Sequence, residues 1–219
     1  MASQTLVTMG TRVRCADGAG GWVSRVVVDP AALTVTHLVI EPEDRQEAGR
    51  LVPLDLVHPD AGTIGLRCTT AEFYQLSPGE KKQFVPGTGD YARYRPGQLP
   101  RRATYLQRQS RPGYGVSGRM PQTFTYDTIP DGEVALRAGD PVHATDGQIG
   151  HIEGIAMDED SHRLTYLLLG ERGVLGPRHV AIPVSAVSRV DAGIELSITK
   201  RQARHLPRVN RAFRGGQAS

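Results

Sequence analysis

The chain is 219 residues long with a formal net charge of +3, hydrophobic residues at 39%, aromatics at 5%, 25 glycines and 15 prolines. That composition suits short strands and turns built on small aliphatic side chains and disfavours long helical bundles. No stretch has the roughly 18 to 20 continuous apolar residues of a membrane helix, and Met1–Gly10 lacks the layout of a signal peptide, so a cytoplasmic protein without a membrane span is expected.

The chain repeats itself. Val13-Arg14-Cys15-Ala16-Asp17-Gly18, followed by Gly21, Val23, Val26, Val28 and Asp29, recurs as Val142-His143-Ala144-Thr145-Asp146-Gly147, followed by Gly150, Ile152, Ile155, Met157 and Asp158. The offset is 129 residues through Thr36, Leu38 and Ile40, then 130 from Pro53, Val57, Leu66 and Leu76 onward. A one-residue difference between the acidic loop Glu41–Gly49 and the Gly-rich loop Gly170–Gly176 accounts for the step.

Each copy reads as five or six short strands. Val13 and Cys15 alternate with polar neighbours before Asp-Gly, a hairpin dipeptide. Trp22–Val28 and Val35–Ile40 follow, rich in β-branched residues and separated by a turn at Asp29-Pro30. Leu51–Pro53 and Ile64–Cys68 supply two more, and so few strands bury a core only if the sheet closes on itself. Thr69 and Glu72 fit a capping box that starts a short helical turn, with Thr199–Leu206 in the same place in the second copy.

Between the copies, from Ser77 to Ala138, aliphatic alternation gives way to Pro, Gly, Arg, Gln and Tyr, in a stretch too long for an ordinary loop. Charge is segregated accordingly. Residues 1–79 carry −3 and 121–199 carry −7, whereas 80–120 carry +7 and the tail 200–219 carries +6. Tyr91, Tyr94 and Tyr105 interleave with Arg93, Arg95, Arg101, Arg102, Arg108 and Arg111, a mixture in which guanidinium groups neutralise phosphates and aromatic rings stack on bases. The same residues could equally anchor the segment on the protein's own surface, on a symmetry mate or on a protein partner.

No catalytic residue, cofactor site or metal site is assigned. The seven histidines show no His-Glu-x-x-His spacing, and neither a Gly-x-Ser-x-Gly elbow nor a P-loop occurs. Cys15 and Cys68 read as small core residues. His151, Asp158 and His162 are the one neighbourhood in which a loop triad could be imagined. Trp22 stands on the outward side by alternation, opposite His151 in the repeat, as a candidate partner contact.

Taken together, the strand-Asp-Gly-x-x-Gly opening, the strand ending at Asp29 or Asp158, the Thr-x-Leu-x-Ile/Leu strand and the Pro-x-x-x-Val segments at Pro53–Val57 and Pro183–Val187 resemble the PRC-barrel domain. That module is shared by the photosynthetic reaction-centre H subunit and the bacterial ribosome maturation factor. The resemblance implies an all-β chain: two small PRC-type β-barrels in tandem at residues 8–78 and 136–208, each followed by a short helical turn. A long basic linker, 79–135, joins them, and a basic tail, 209–219, follows. It further implies a non-enzymatic assembly module, an adaptor for a protein partner or for a second copy as a homodimer. The alternative is an RNA- or ribosome-associated factor that binds nucleic acid through its basic linker and tail.

Overall fold

In the computed structural model the described residues are 4–44, 47–60, 63–85, 102–104, 122–173, 176–191 and 193–206. The first half folds as β2 (Arg12–Cys15), β3 (Gly18–Asp29), β4 (Thr34–Pro42), β5 (Arg50–Pro53), β6 (Val57–Asp60) and β7 (Thr63–Leu66), then helix α1 (Thr70–Gln75). The second half repeats this as β12 (Pro141–Ala144), β13 (Gly147–Asp158), β14 (Leu164–Gly173), β15 (Gly176–Pro183), β16 (Val187–Val190), β17 (Ile194–Leu196) and α2 (Lys200–Arg204). The strand orders are equivalent, β5-β4-β3-β2-β7-β6 and β15-β14-β13-β12-β17-β16. The fold is all-β, as the alternation and turn spacing require. Each sheet curls into a half-barrel, and the apolar inner faces of both join one continuous cluster that includes Leu38, Ile40, Leu66 and Phe73 from the first half and Ile152, Leu167, Ile182 and Ile194 from the second.

What joins the halves is an exchange of strands. The long strand β3 pairs with β2 only along Gly18–Trp22; beyond a bulge its edge at Arg25–Val28 is filled by β11 (Val134–Arg137), which lies just ahead of the second copy in sequence. Reciprocally, β13 pairs with β12 along Gly147–His151, and its edge at Gly154–Asp158 is filled by β1 (Gln4–Thr8). The registers correspond through the repeat: Val7 faces Ile155 as Leu136 faces Val26. Strand pairing thus runs across the copy boundaries read from the sequence, because a half-strand edge left open must find a partner and the other copy's leading strand supplies it.

The β3–β4 and β13–β14 turns meet through reciprocal backbone bonds. Val35 N–H donates to the His162 carbonyl at 3.0 Å and Leu164 N–H to the Leu33 carbonyl at 2.8 Å. Leu33 (φ 52°) and His162 (φ 55°) both take the left-handed conformation that aims these carbonyls. A non-glycine residue there costs about 1 to 2 kcal/mol, offset by the paired interlobe hydrogen bonds.

The helical turns start where the capping box was read. Thr69 and Thr199 each accept from the N3 backbone, and Glu72 and Gln202 return the bond to the cap. The aspartate of each Asp-Gly turn adds to this: Asp17 Oδ1 accepts from Thr70 N–H at 2.7 Å and from its hydroxyl at 2.8 Å, and Asp146 Oδ1 accepts from Lys200 N–H at 2.8 Å. The conspicuous Asp-Gly pair therefore serves the hairpin and the helix N-terminus together. At Gly21 (φ 146°) a Cβ would collide with the Glu41 carbonyl, so the glycine is required by the close β3–β4 approach.

These caps contribute to the acid limb of stability. Asp17 is held below its ordinary 3.8 by the Thr70 hydroxyl and then the Thr70 amide, and Glu72 below 4.5 by the Thr69 amide and hydroxyl. Groups depressed in the folded state stabilise it above their unfolded pKa and lose that contribution as pH falls through the folded value. The urea midpoint is expected to fall below about pH 4, and more shallowly in Asp17→Asn, Glu72→Gln; equal slopes in wild type and variant would refute the assignment.

Candidate interaction surface

The segment between the copies contributes a sheet of its own. β8 (Glu80–Val85) and β9 (Arg102–Thr104) pair antiparallel on either side of β10 (Gln122–Asp127), in the order β8-β10-β9. The register sets Val85 and Thr104 at the Gln122–Thr123 end of β10 and Glu80 beside Asp127 at the other. The Glu80–Asp127 end is anchored to the first half-barrel.

That anchor is a cluster of two cations and two anions. Arg25 projects from β3 on the face opposite the core and is the one charged or polar side chain classed as buried among the described residues, at 6% exposure. Its guanidinium pairs with Glu80 and, at 3.2 Å, with Asp127, and donates to the Gly79 carbonyl at 3.3 Å. Arg137 on β11, directly opposite Arg25 in the ladder, takes the same Asp127 oxygen. Around the cluster Val27, Val39 and Ala135 form a small apolar patch on the outer face, with Leu51 and Ile129 packed against it. Gly79 lies on Val39, where a Cβ would stand 2.7 Å from a valine methyl, and its N–H donates to the Gly49 carbonyl at 2.7 Å. Thr36 donates to Glu133 at 2.6 Å, with His37 of the same strand 3.7 Å from that carboxylate. This layer explains why Arg25–Val28 is buried on both faces.

The repeat marks the cluster as specific to the first half. The counterpart of Arg25 is Gly154, whose missing Cβ makes room for the Val7 carbonyl and Thr8. Sequence reading passed over Arg25, Glu80, Asp127 and Arg137, yet two signals were present: an arginine inside a valine-rich strand where the other copy has glycine, and Glu80 in a segment otherwise dominated by arginine and lysine.

The residues read as partner contacts fall into two groups. Trp22 lies half-buried on β3 between its cross-strand partners Arg12 and Glu41, beside the exposed Arg12–Glu43 pair at 2.7 Å; its counterpart His151 is exposed and touches Gln148 at 3.1 Å. Arg102 stands on β9, opposite Thr125. Tyr91, Arg93, Tyr94, Arg95, Arg101, Tyr105, Arg108 and Arg111 lie outside the described residues, as does the tail from 207. The backbone nevertheless fixes where their segments depart: residues 86–101 follow the end of β8 and 105–121 join the end of β9 to the start of β10, so both leave from the end of the sheet remote from Arg25.

The imagined triad does not assemble. Along β13, His151 and Asp158 are seven residues apart, about 23 Å in an extended strand. Asp158 instead organises its turn, accepting from the Ser161 hydroxyl at 2.6 Å and amide at 2.8 Å, which hold its carboxyl below the usual range together with a smaller contribution from His162. Among the described residues no group of three or more His, Cys, Asp or Glu side chains is placed to hold a metal ion, and no helix is long and apolar enough to cross a membrane. A comparison with curated proteins returns no match. Residues 138–202, from just before β12 to within α2, match the PRC-barrel domain family.

Proposed function

We propose that the chain is a non-enzymatic adaptor built from two PRC-type modules, the matched one and a first-half copy, which together present the inserted sheet to a protein partner. The observation that supports this most is the ion-paired dock: a buried arginine, present in one copy only, anchors a sheet from whose far end residues 86–101 and 105–121 depart. A second copy of the module is supported by the equivalent strand order and by the matching exchange registers. PRC-barrel domains often serve interactions, which favours a binding role over a catalytic one.

Affinity purification from the native host at low salt, with nuclease-treated and untreated lysates in parallel, tests the reading. A defined protein partner that survives nuclease supports it, and one lost on replacing residues 86–121 with a short Gly-Ser linker places the contact on the inserted sheet. Recovery of no protein above background counts against the adaptor.

The second reading is a nucleic-acid contact, favoured by the shared departure point of the two basic segments. Residues 86–101 and 105–121 hold six arginines between them. If all six engage phosphates of single-stranded RNA, the log of the binding constant falls with log salt at a slope of about −4, and neutralising Arg93, Arg95 and Arg101 to glutamine halves it. Binding that does not change with salt would eliminate this reading.

A further inference from the structure

The chain's two cysteines are 53 residues apart in sequence, and the fold brings them together. Cys15 ends β2, and Cys68 stands between β7 and the cap of α1, where β2 and β7 run parallel with Val13 beside Ile64 and Arg14 beside Gly65. Just past that ladder Ala16 N–H donates to the Cys68 carbonyl at 3.0 Å, clamping the two segments side by side. Both side chains turn into the same apolar cluster, at 6% and 7% exposure. The space beyond Cys15 Sγ is kept open by Gly20, whose missing Cβ would stand 3.3 Å from the sulfur. In the second half the equivalent segments meet through the same backbone bond, Thr145 N–H to the Ile198 carbonyl at 3.0 Å, but carry Ala144 and Ile198 instead. The fold therefore needs apolar volume at these positions, not sulfur.

We propose that Cys15 and Cys68 are a modification site: a dithiol pair that hydrogen peroxide converts to an intramolecular disulfide, cross-linking β2 to the entrance of α1 in the first half only. In the first step one thiolate sulfur attacks a peroxide oxygen. The O–O bond breaks, hydroxide leaves and takes up a proton as water, and the cysteine becomes a sulfenic acid. In the second step the neighbouring sulfur attacks the sulfenic sulfur. The S–O bond breaks and hydroxide leaves with the second thiol's proton as another water. Two thiols lose two electrons and two protons in total, and one hydrogen peroxide gains them to become the two waters.

Chemistry at the site makes the conversion slow near neutrality. Burial pushes the Cys15 thiol up to about 11, reinforced by the neighbouring Cys68 and by Asp17 and opposed by the Thr70 hydroxyl; burial also raises Cys68, with Glu72 and Asp17 acting in the same direction. The reactive thiolate is scarce at pH 7 and rises about tenfold per pH unit until the pKa is approached. The pair thus responds to sustained rather than brief oxidant exposure.

Full-length protein is treated with hydrogen peroxide under native conditions at pH 7, 8 and 9, then alkylated, digested without reduction and analysed by mass spectrometry. A peptide pair joined through Cys15 and Cys68 is expected, forming about tenfold faster per pH unit, with the thermal midpoint raised by about 10 °C and restored by dithiothreitol, since a long loop is closed in the unfolded chain. Cys15→Ala, which installs the residue of the second copy, is expected to fold, to stop at sulfenic or higher oxidation of Cys68, and to show no midpoint shift. Only oxygen adducts, only disulfide-linked dimers, or no reaction at pH 9 in the wild type would overturn the proposal.

Discussion

Arg25→Met is expected to destabilise the protein by about 3 to 5 kcal/mol, the range found when one member of a buried ion pair is removed and its partners remain charged. Methionine retains the aliphatic stem and its packing against the strand, so the loss isolates the guanidinium. Glu80 and Asp127, 17% and 11% exposed, would be left with Arg137 as their one remaining cation in the cluster. The measurement is the urea midpoint together with amide hydrogen exchange. Faster exchange is expected first in β8 and β10, because these strands are held to the half-barrel through that cluster. Adding Glu80→Gln to Arg25→Met should recover part of the loss, since it removes the anion left without a cation while Asp127 keeps Arg137. An unchanged midpoint with unchanged protection of β8 and β10 would show that the apolar patch around Val39 anchors the inserted sheet unaided.

Leu136→Ala carries the second large effect, about 2 to 5 kcal/mol for a fully buried leucine truncated in a close-packed interior. Its location matters more than its size. By sequence Leu136 introduces the second copy, but by pairing it lies in the first sheet opposite Val26. Exchange protection should therefore drop at Arg25–Val28 of β3, about 110 residues upstream, with less change in β12, its near neighbour in the chain. Val7→Ala is the mirror experiment and should loosen Gly154–Asp158 of β13. If each substitution instead loosened only the copy that contains it, the strand exchange would be refuted.

Local features of the fold were legible before any coordinates. The 129-residue offset, the Asp-Gly hairpins and the Thr69–Glu72 cap are set by side chains acting on backbone within a few residues, and such signals survive in a single sequence. The exchange was not. Gln4–Thr8 falls at the leading edge of the first barrel and Val134–Arg137 at the boundary between linker and second barrel, neither reads as a strand, and nothing in them says which of two near-identical long strands each will join. That choice is settled by whichever edge is open once the sheets curl, a tertiary matter. The anchor was half-legible: Arg25 is anomalous in its strand, yet its partners lie 55 and 102 residues away, and charge pairing over such separations leaves no periodic trace. The aromatic and basic residues between the copies were legible as composition, and the strands β8, β9 and β10 show where their segments begin and end.

The reciprocal placement of β1 and β11 also has a consequence during synthesis. Chain growth is vectorial, and the last position of β1, Thr8, must wait for Gly154. At about 5 to 20 residues per second that is an interval of roughly 7 to 30 s. Over most of it β3 has been made while the strand that completes its edge has not, so Arg25–Val28 offers unpaired backbone to any neighbouring nascent chain. The hazard is greatest between copies on one message, where a leading chain that has made β11 meets a trailing chain whose β3 edge is still open. A protein joined in this way therefore has its strongest demand for chaperone cover before its last third is translated, and very little once that third is in place.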